Sequence, residues 1–404
     1  MLELLADEKS WQKFLEYKKS LSRPKDETAM LEGFIRDREY LTVYEAIRRG
    51  DVFPLPAKAV INKTDSRKKR TVYMYPPREN TVLKLLTYLL LRRYDRLFSP
   101  GLYSFRPGRT AKDAVGRLPG TGKREHLYSY KADISNYFNS VNVPELLSLL
   151  EKVLADDMEL YGFLRRLLEE KHVISRGRII TEEKGIMAGT PLSAFYANLY
   201  LRELDEYFAA RDIPYARYSD DIIVFGKSRE ETEAHARKIR AFLDEKGLCI
   251  NPDKESFSSP EEGWCFLGFC CRGGVVDIAP VTVVKLKKKM RRKARALLRW
   301  RMRNGADGEK AAAAFIRIFC RKLFEGGRDN ELTWSRWFFP MINTSRSLHE
   351  IDLYAQDCIR YIISGKRTKA RYNVRYADMK RLGYRSLVHE FYLPPENDGA
   401  GLRD

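Results

Sequence analysis

The chain has 404 residues, 44% hydrophobic and 32% charged, enough for a packed core and, by length, for two or three domains or subdomains. Its formal net charge is +19 and its pI about 9.5, an excess that repels itself unless a polyanion offsets it, so nucleic acid is the leading partner. With no run of about 18 apolar residues, an acidic start too short for a signal peptide, six cysteines without C-x-x-C spacing and five histidines, the sequence leads us to expect no membrane span, no zinc site, no disulfide framework and a reducing, cytoplasmic setting.

Residues 1–50 read as helices, with Leu15, Tyr17 and Leu21, then Leu31, Phe34 and Ile35, then Tyr44 and Ile47 recurring at helical spacing, and with Pro24 and Gly50 as breaks. Residues 51–64, holding Pro54 and Pro56, look extended. Thr71–Tyr75 is a strand stopped by Pro76 and Pro77, and a Leu-rich helix follows from Glu79 to about Leu97. Phe105–Arg109 is a loop before a short helix at Ala111–Leu118. Tyr128–Ile134 reads as a strand, followed by helices at Pro144–Lys152 and about Asp157–Lys171. Ile186–Leu204 reads as a turn and a long buried helix. Glu230–Lys246 is an amphipathic helix capped by Gly247. Strand signals return at Phe266–Cys271 and Val275–Ala279. This order fits an α+β fold with a palm-like sheet covered by helices on one face. We expect a helical N-terminal segment at 1–50, a central region at 51–279 and a basic helical region at 280–404.

Tyr218-Ser219-Asp220-Asp221 lies between β-formers, Ile213–Arg217 before it and Ile222–Phe225 after it, which predicts a tight hairpin with a carboxylate pair at its tip. An isolated Asp-Asp pair is ordinarily a solvated turn. Held side by side, however, two carboxylates repel each other unless a cation sits between them, and hard divalent cations prefer carboxylate and phosphate oxygens. Asp133 ends a strand that would pair with this hairpin; alone, an acid at such a place is ordinarily a cap. Eleven Lys and Arg between Lys285 and Arg303 share one helical stretch without an acid, where a solvated face normally mixes signs, so phosphate-backbone contact is expected there. A second basic-aromatic stretch, Arg360 to Arg385, suits either nucleic acid or core packing by snorkelled bases.

At these residues the chain resembles the reverse transcriptase superfamily. Asp133-Ile-x-x-Tyr-Phe138 and Tyr218-x-Asp-Asp221 match its two catalytic motifs, and Gly185–Ser193 with Ala197–Leu201 matches the motif between them. Tyr103–Arg109 resembles the fingers motif, Gly247–Lys254 the motif after the hairpin and Phe266–Phe269 the primer-grip element, all in family order over roughly residues 58–275. The resemblance implies a right-hand polymerase with fingers, an RRM-like palm sheet and a helical thumb and C-terminal region. It implies Asp133, Asp220 and Asp221 as catalytic residues that, with the Ile134 carbonyl, would hold two Mg²⁺ ions (Mn²⁺ as an alternative). By position Lys63, Arg70, Phe138, Gly189 and Lys254 would meet the nucleotide. Phe138 would exclude the ribose 2′-hydroxyl, although a core Phe fits the sequence equally well, and Lys254 would assist departure of pyrophosphate. Arg106, Arg109, Lys288, Arg292, Arg295, Lys369 and Arg371 are the expected nucleic-acid contacts.

The chain departs from the family at Met187-Ala188-Gly189, where many reverse transcriptases carry Pro-Gln-Gly. That variant, with the helical ending Ile362–Leu387, resembles bacterial defence-associated, abortive-infection-like reverse transcriptases. The expected activity is RNA-directed DNA synthesis from dNTPs, copying a partner non-coding RNA into DNA in anti-phage defence, with a partner protein or homo-oligomerisation as a further option. Two other readings stay open: template-independent or protein-guided DNA synthesis, and a catalytically silent RNA-binding scaffold.

Overall fold

The computed structural model describes residues 1–21, 25–62, 69–121, 126–183, 185–325 and 333–393. The chain divides into two compact units, Met1–Leu267 and Gly268–Asp404. The first begins with helices α1 (Glu8–Ser20), α2 (Lys25–Arg36) and α3 (Glu39–Arg49). Asp7 caps α1 by accepting the Ser10 N–H at 2.9 Å, and Gly50 closes α3 with φ 76°, a value only glycine adopts without penalty. Strands β1 (Ala57–Asn62) and β2 (Lys69–Met74) then pair antiparallel. The Leu-rich segment forms α4 (Pro77–Arg93), with Pro77 in the first turn, where its missing N–H costs nothing. Next come α5 (Ala111–Gly116), β3 (Tyr128–Asp133), α6 (Tyr137–Ser140), α7 (Val143–Val153) and α8 (Met158–Glu169).

A hairpin absent from the sequence reading follows: β4 (His172–Ser175) and β5 (Arg178–Thr181). Its two-residue turn is Arg176-Gly177, both at positive φ, and Ser-Arg-Gly-Arg between apolar pairs was the available signal. The hairpin adds to the first pair, giving a four-stranded fingers sheet in the order β2-β1-β4-β5. The expected single long helix after Ile186 is instead two, α9 (Ser193–Tyr200) and α10 (Arg202–Ala209), because Leu201 leaves helical geometry at φ −105°, ψ 12°. β6 (Tyr215–Tyr218), β7 (Asp221–Gly226), α11 (Arg229–Glu245), β8 (Ser256–Ser258) and β9 (Trp264–Phe266) complete the unit. The palm sheet has the order β6-β7-β3-β8, antiparallel throughout. One apolar core runs from Leu2 and Trp11 through Leu86, Tyr130, Phe195 and Ile222 to Leu248, so the N-terminal helices share the palm's core.

In the second unit, β10 (Phe269–Arg272) and β11 (Val275–Ile278) form a hairpin turned by Gly273 and Gly274, both at positive φ. The expected continuous strand Phe266–Cys271 is interrupted at Leu267 and Gly268, which also have positive φ. Among the described residues the long α12 (Pro280–Asn304) is followed by α13 (Gly308–Cys320), α14 (Trp334–Phe338), α15 (Arg346–Ser364), α16 (Tyr376–Arg381) and α17 (Leu387–Tyr392). Val283, Leu286, Met290, Ala294 and Leu298 bury one stripe of α12, and α12 and α13 both pack on α15. The buried Asp352 carboxylate accepts the Leu387 and Val388 N–H groups and the Tyr384 and Ser386 hydroxyls, tying α17 down. Cys265 and Cys270 depart from the expectation of free thiols, since both are disulfide-bonded. No helix of the described residues is long and apolar enough to cross a membrane.

Candidate active site

The three sequence-singled carboxylates meet at one end of the palm. β6 and β7 join through Ser219-Asp220, with Tyr218 paired to Asp221 and Ser219 at φ 61°. Register places Asp133, the last residue of β3, directly opposite Asp221 on β7. The Ile134 N–H donates to the Asp220 carbonyl at 3.0 Å, fixing that peptide beside the acidic tip. On its other side the Asp133 carbonyl accepts the Asn251 N–H at 2.8 Å, and the Ser135 N–H donates to the Cys249 carbonyl. This backbone zipper delivers Lys254, whose Nζ donates to Asp133 Oδ2 at 2.5 Å.

Burial raises the Asp220 carboxyl above its ordinary value, and the charge of Asp133 adds to the rise while Lys254 and Arg70 oppose it. Burial pushes Asp221 up to about 6; Asp220 and Asp133 add to this and Lys131 resists it. Burial alone would lower the Lys254 ammonium, but its hydrogen bond to Asp133 and the neighbouring carboxylates outweigh that and raise it. Among the described residues no group of three or more His, Cys, Asp or Glu is assembled for a metal ion, and Lys254 holds Asp133 in an ion pair. The donor set itself fits a hard dication: three carboxylates on adjacent strands, two of them made reluctant to ionise by burial and mutual repulsion. The Lys254 ammonium pairs with Asp133.

A network the sequence reading missed holds the hairpin tip. Arg217, fully buried on β6, pairs with the buried Asp205 of α10, Nε to Oδ1 at 2.8 Å and Nη2 to Oδ2 at 2.5 Å. Its Nη1 donates to the Ser219 carbonyl at 3.2 Å inside the turn. The Ser219 N–H donates to Ser104 Oγ at 2.8 Å, and Asn198 Nδ2 donates to the Ser104 carbonyl at 2.9 Å. The signal was there: an Arg inside an otherwise apolar strand must find a buried acid.

The motif between the catalytic strands forms a rigid loop. The Ile186 N–H donates to the Phe138 carbonyl at 2.8 Å, and the Ala188 carbonyl accepts the Tyr73 N–H of edge strand β2 at 2.9 Å. Gly189 has φ 101°, and a Cβ there would lie 3.1 Å from the Tyr73 carbonyl, so the residue carried over for nucleotide contact is also demanded by backbone packing. Phe138 is half-buried, edge-on to Tyr137 at 5.6 Å. Arg70 is exposed on β2, near enough for its charge to act on Asp220, while Lys63 lies outside the described residues. On the acid-bearing palm face, a cavity of about 280 Å³ is lined by Ser129, Lys131, Ile223, Ser256 and Ser258. Another cavity, about 730 Å³, lies away from the carboxylates, between Phe14, Leu31, Phe34, Met74 and Lys84.

The expected nucleic-acid contacts divide. Lys288, Arg292 and Arg295 are exposed on α12 with Lys285, Arg299 and Arg303, three or four residues apart and opposite the buried stripe. Arg109 is half-buried; it donates to the Pro100 carbonyl at 2.7 Å and lies over the Tyr103 ring. Arg106 is a correction. It is buried, and all five of its N–H donors are used, on the Asp95 carboxylate and carbonyl and on the Ser99 and Leu102 carbonyls. It clamps the fold and has nothing left for a phosphate. Arg371 is also turned inward, against Asp357, the Arg367 carbonyl and the Tyr372 ring. The Lys369 side chain lies outside the described residues.

A palm sheet with three carboxylates at the end of its central strands, beside a basic fingers strand, is the arrangement of a right-hand polymerase fold. Residues 61–271, just over half of the chain, match the family Reverse transcriptase (RNA-dependent DNA polymerase). The chain belongs to this family. Curated relatives include an uncharacterized 91 kDa protein in the cob intron of Schizosaccharomyces pombe, 27% identical over 38% of this chain and 18% of that protein. Another is the group II intron-encoded protein LtrA of Lactococcus lactis subsp. cremoris, 24% identical over 49% of this chain and 32% of that protein. The chain thus spans less than a third of the length of either relative. Solved structures that align include apo telomerase from Candida tropicalis truncated from its C-terminal domain, 12% identical with TM-score 0.46 over 56% of this chain and 55% of that one. Telomerase from Candida albicans with a telomeric RNA fragment aligns at 12% identity and TM-score 0.44 over 83% and 67%.

Proposed function

We propose that the chain is an active reverse transcriptase that adds deoxynucleotides to a 3′ end, copying a structured partner RNA into DNA. The observation that carries this is the Asp133–Asp221 register, with Asp220 between them and Lys254 and Arg70 within electrostatic reach. A retired site has no reason to keep buried carboxylates that repel one another. Asp133, Asp220, Asp221 and the Ile134 carbonyl would hold divalent metal, Mg²⁺ or Mn²⁺. Metal, when bound, supplies charge stabilisation to the attacking and leaving oxygens. The protein's own groups do the rest. Arg70 draws in the triphosphate, and the Phe138 edge selects against a ribose. Lys254 Nζ, freed from Asp133, carries a proton available to the departing pyrophosphate. The exposed basic stripe of α12 suits phosphates of a template–primer duplex.

Two curated relatives carry intron in their names, which favours a structured RNA as the template. The Met187-Ala188-Gly189 variant supports the finer reading of a defence enzyme acting against phage with its own non-coding RNA. Sequencing nucleic acid that co-purifies with the full chain tests the template: DNA complementary to one co-expressed RNA is expected, and product matching no nucleic acid present would shift the reading to template-independent synthesis. Phage plating on cells carrying the gene and its neighbours tests the defence role. Asp220→Ala with Asp221→Ala should abolish incorporation and leave RNA binding intact; retained synthesis would remove the site assignment, and absence of synthesis by the unaltered chain with Mg²⁺ or Mn²⁺ would leave the scaffold reading.

A further inference from the structure

Met187 occupies a costly conformation for which the mechanism above has no use. Its φ is 48°, in the left-handed region that a non-glycine residue enters at about 1–3 kcal/mol. Its side chain is buried, and it packs not into the cleft but against Tyr73 and Val173 of the fingers sheet, with Ile180 alongside. Tyr73 is itself pinned, its hydroxyl donating to Glu182 at 2.6 Å. The next residue, Ala188, accepts the Tyr73 N–H, so side chain and backbone fasten this loop to the same strand.

The other end of the loop is fastened to Phe138, the aromatic assigned to the sugar in the polymerase reading. Ile186 donates to the Phe138 carbonyl, and a Cβ on Gly185 would collide with that carbonyl and lie 2.9 Å from the Asn139 carbonyl carbon. Between these anchors there is little slack: Thr190 Oγ1 donates to the Met187 carbonyl at 3.0 Å, and the Thr190 carbonyl accepts Ser193 Oγ at 2.6 Å. Met187 thus stands between a contact to β2 and a hydrogen bond to the Phe138 backbone.

We propose that Met187 is a positioning residue for nucleotide selection, through which the fingers sheet sets the placement of Phe138 and so the discrimination between deoxy- and ribonucleotides. This rests on the polymerase reading given above. Proline, locked near φ −65°, cannot adopt this conformation, whereas glycine keeps the backbone and deletes only the packing.

The test measures incorporation of dTTP and of UTP by the full chain and its Met187→Gly, Met187→Leu and Val173→Ala variants. Val173 is on the fingers side of the contact and belongs to no part of the catalytic machinery. Met187→Gly and Val173→Ala should each lower the dTTP-over-UTP ratio of kcat/KM by about 10-fold or more, mainly through a raised kcat/KM for UTP, with kcat for dTTP within about 3-fold of wild type. Met187→Leu should restore the ratio. An unchanged ratio in both variants beside an active wild type overturns the inference and leaves Met187 a packing residue. A wild type that incorporates neither nucleotide overturns the polymerase reading, and this inference with it.

Discussion

Asparagine at Asp221 keeps the side chain's shape and removes the charge that burial penalises. Asp221→Asn should therefore stabilise the metal-free protein at neutral pH while lowering incorporation by about 100-fold or more, ~3 kcal/mol of barrier. The pH dependence follows from the rise of the carboxyl from 3.8 to about 6. The folded state holds this proton more tightly than the unfolded chain, so the wild-type contribution is most favourable below about pH 4, declines as pH rises to about 6, and is level above. Thermal melts of both proteins in chelator across that range should show a gap that opens between pH 4 and 6, on the order of 3 kcal/mol. Arg217 behaves differently because its partner is buried with it. Arg217→Met alone strands the Asp205 carboxylate and should cost about 3–5 kcal/mol, measured by denaturant unfolding, whereas Arg217→Met with Asp205→Leu should recover most of the loss. Activity should stay low in the double variant, since the Ser219 carbonyl still lacks the guanidinium that braces the turn.

At the scale of elements, α12 separates its two jobs by face. Its buried stripe holds the second unit together, and its exposed stripe bears only positive charge. Replacing Lys288, Arg292 and Arg295 by Ala should leave melting little changed. The slope of log affinity for a duplex against log salt should fall by about 0.9 for each phosphate that the helix no longer neutralises, up to three phosphates. These stripes were legible beforehand because both the spacing and the single sign of charge are sequence properties. So was the acidic hairpin, since β-formers on both sides of Asp220-Asp221 leave only a tight turn. The β4–β5 hairpin was not, because four-residue strands joined by Arg-Gly give a weak pattern beside the strong helical signal of α8. Arg106 misleads for a related reason. An Arg in a loop looks like a free cation until the fold brings Asp95 and two carbonyls around it. Residue type tells what a group can do, and only tertiary placement tells whether its donors are already spent.

For the molecule as a whole, charge is unevenly shared. Residues 268–404 carry 29 Lys and Arg against 14 Asp and Glu, a net +15 of the chain's +19. The unit that bears the carboxylates is close to balanced. Association with long polyanions should thus be fast, insensitive to sequence and steeply weakened by salt, and stopped-flow binding at two ionic strengths measures it. Lys254 on Asp133 has its consequence at this scale too. Because Lys254 gives the acids a counter-charge, folding should not depend on metal. Chelation should stop synthesis at once yet move the melting temperature by only about 1–2 °C, and returning Mg²⁺ should restore the rate without refolding. Lys254→Ala should make melting more dependent on Mg²⁺. On the polymerase reading, the protein would stand assembled and silent until an ion arrives from solution.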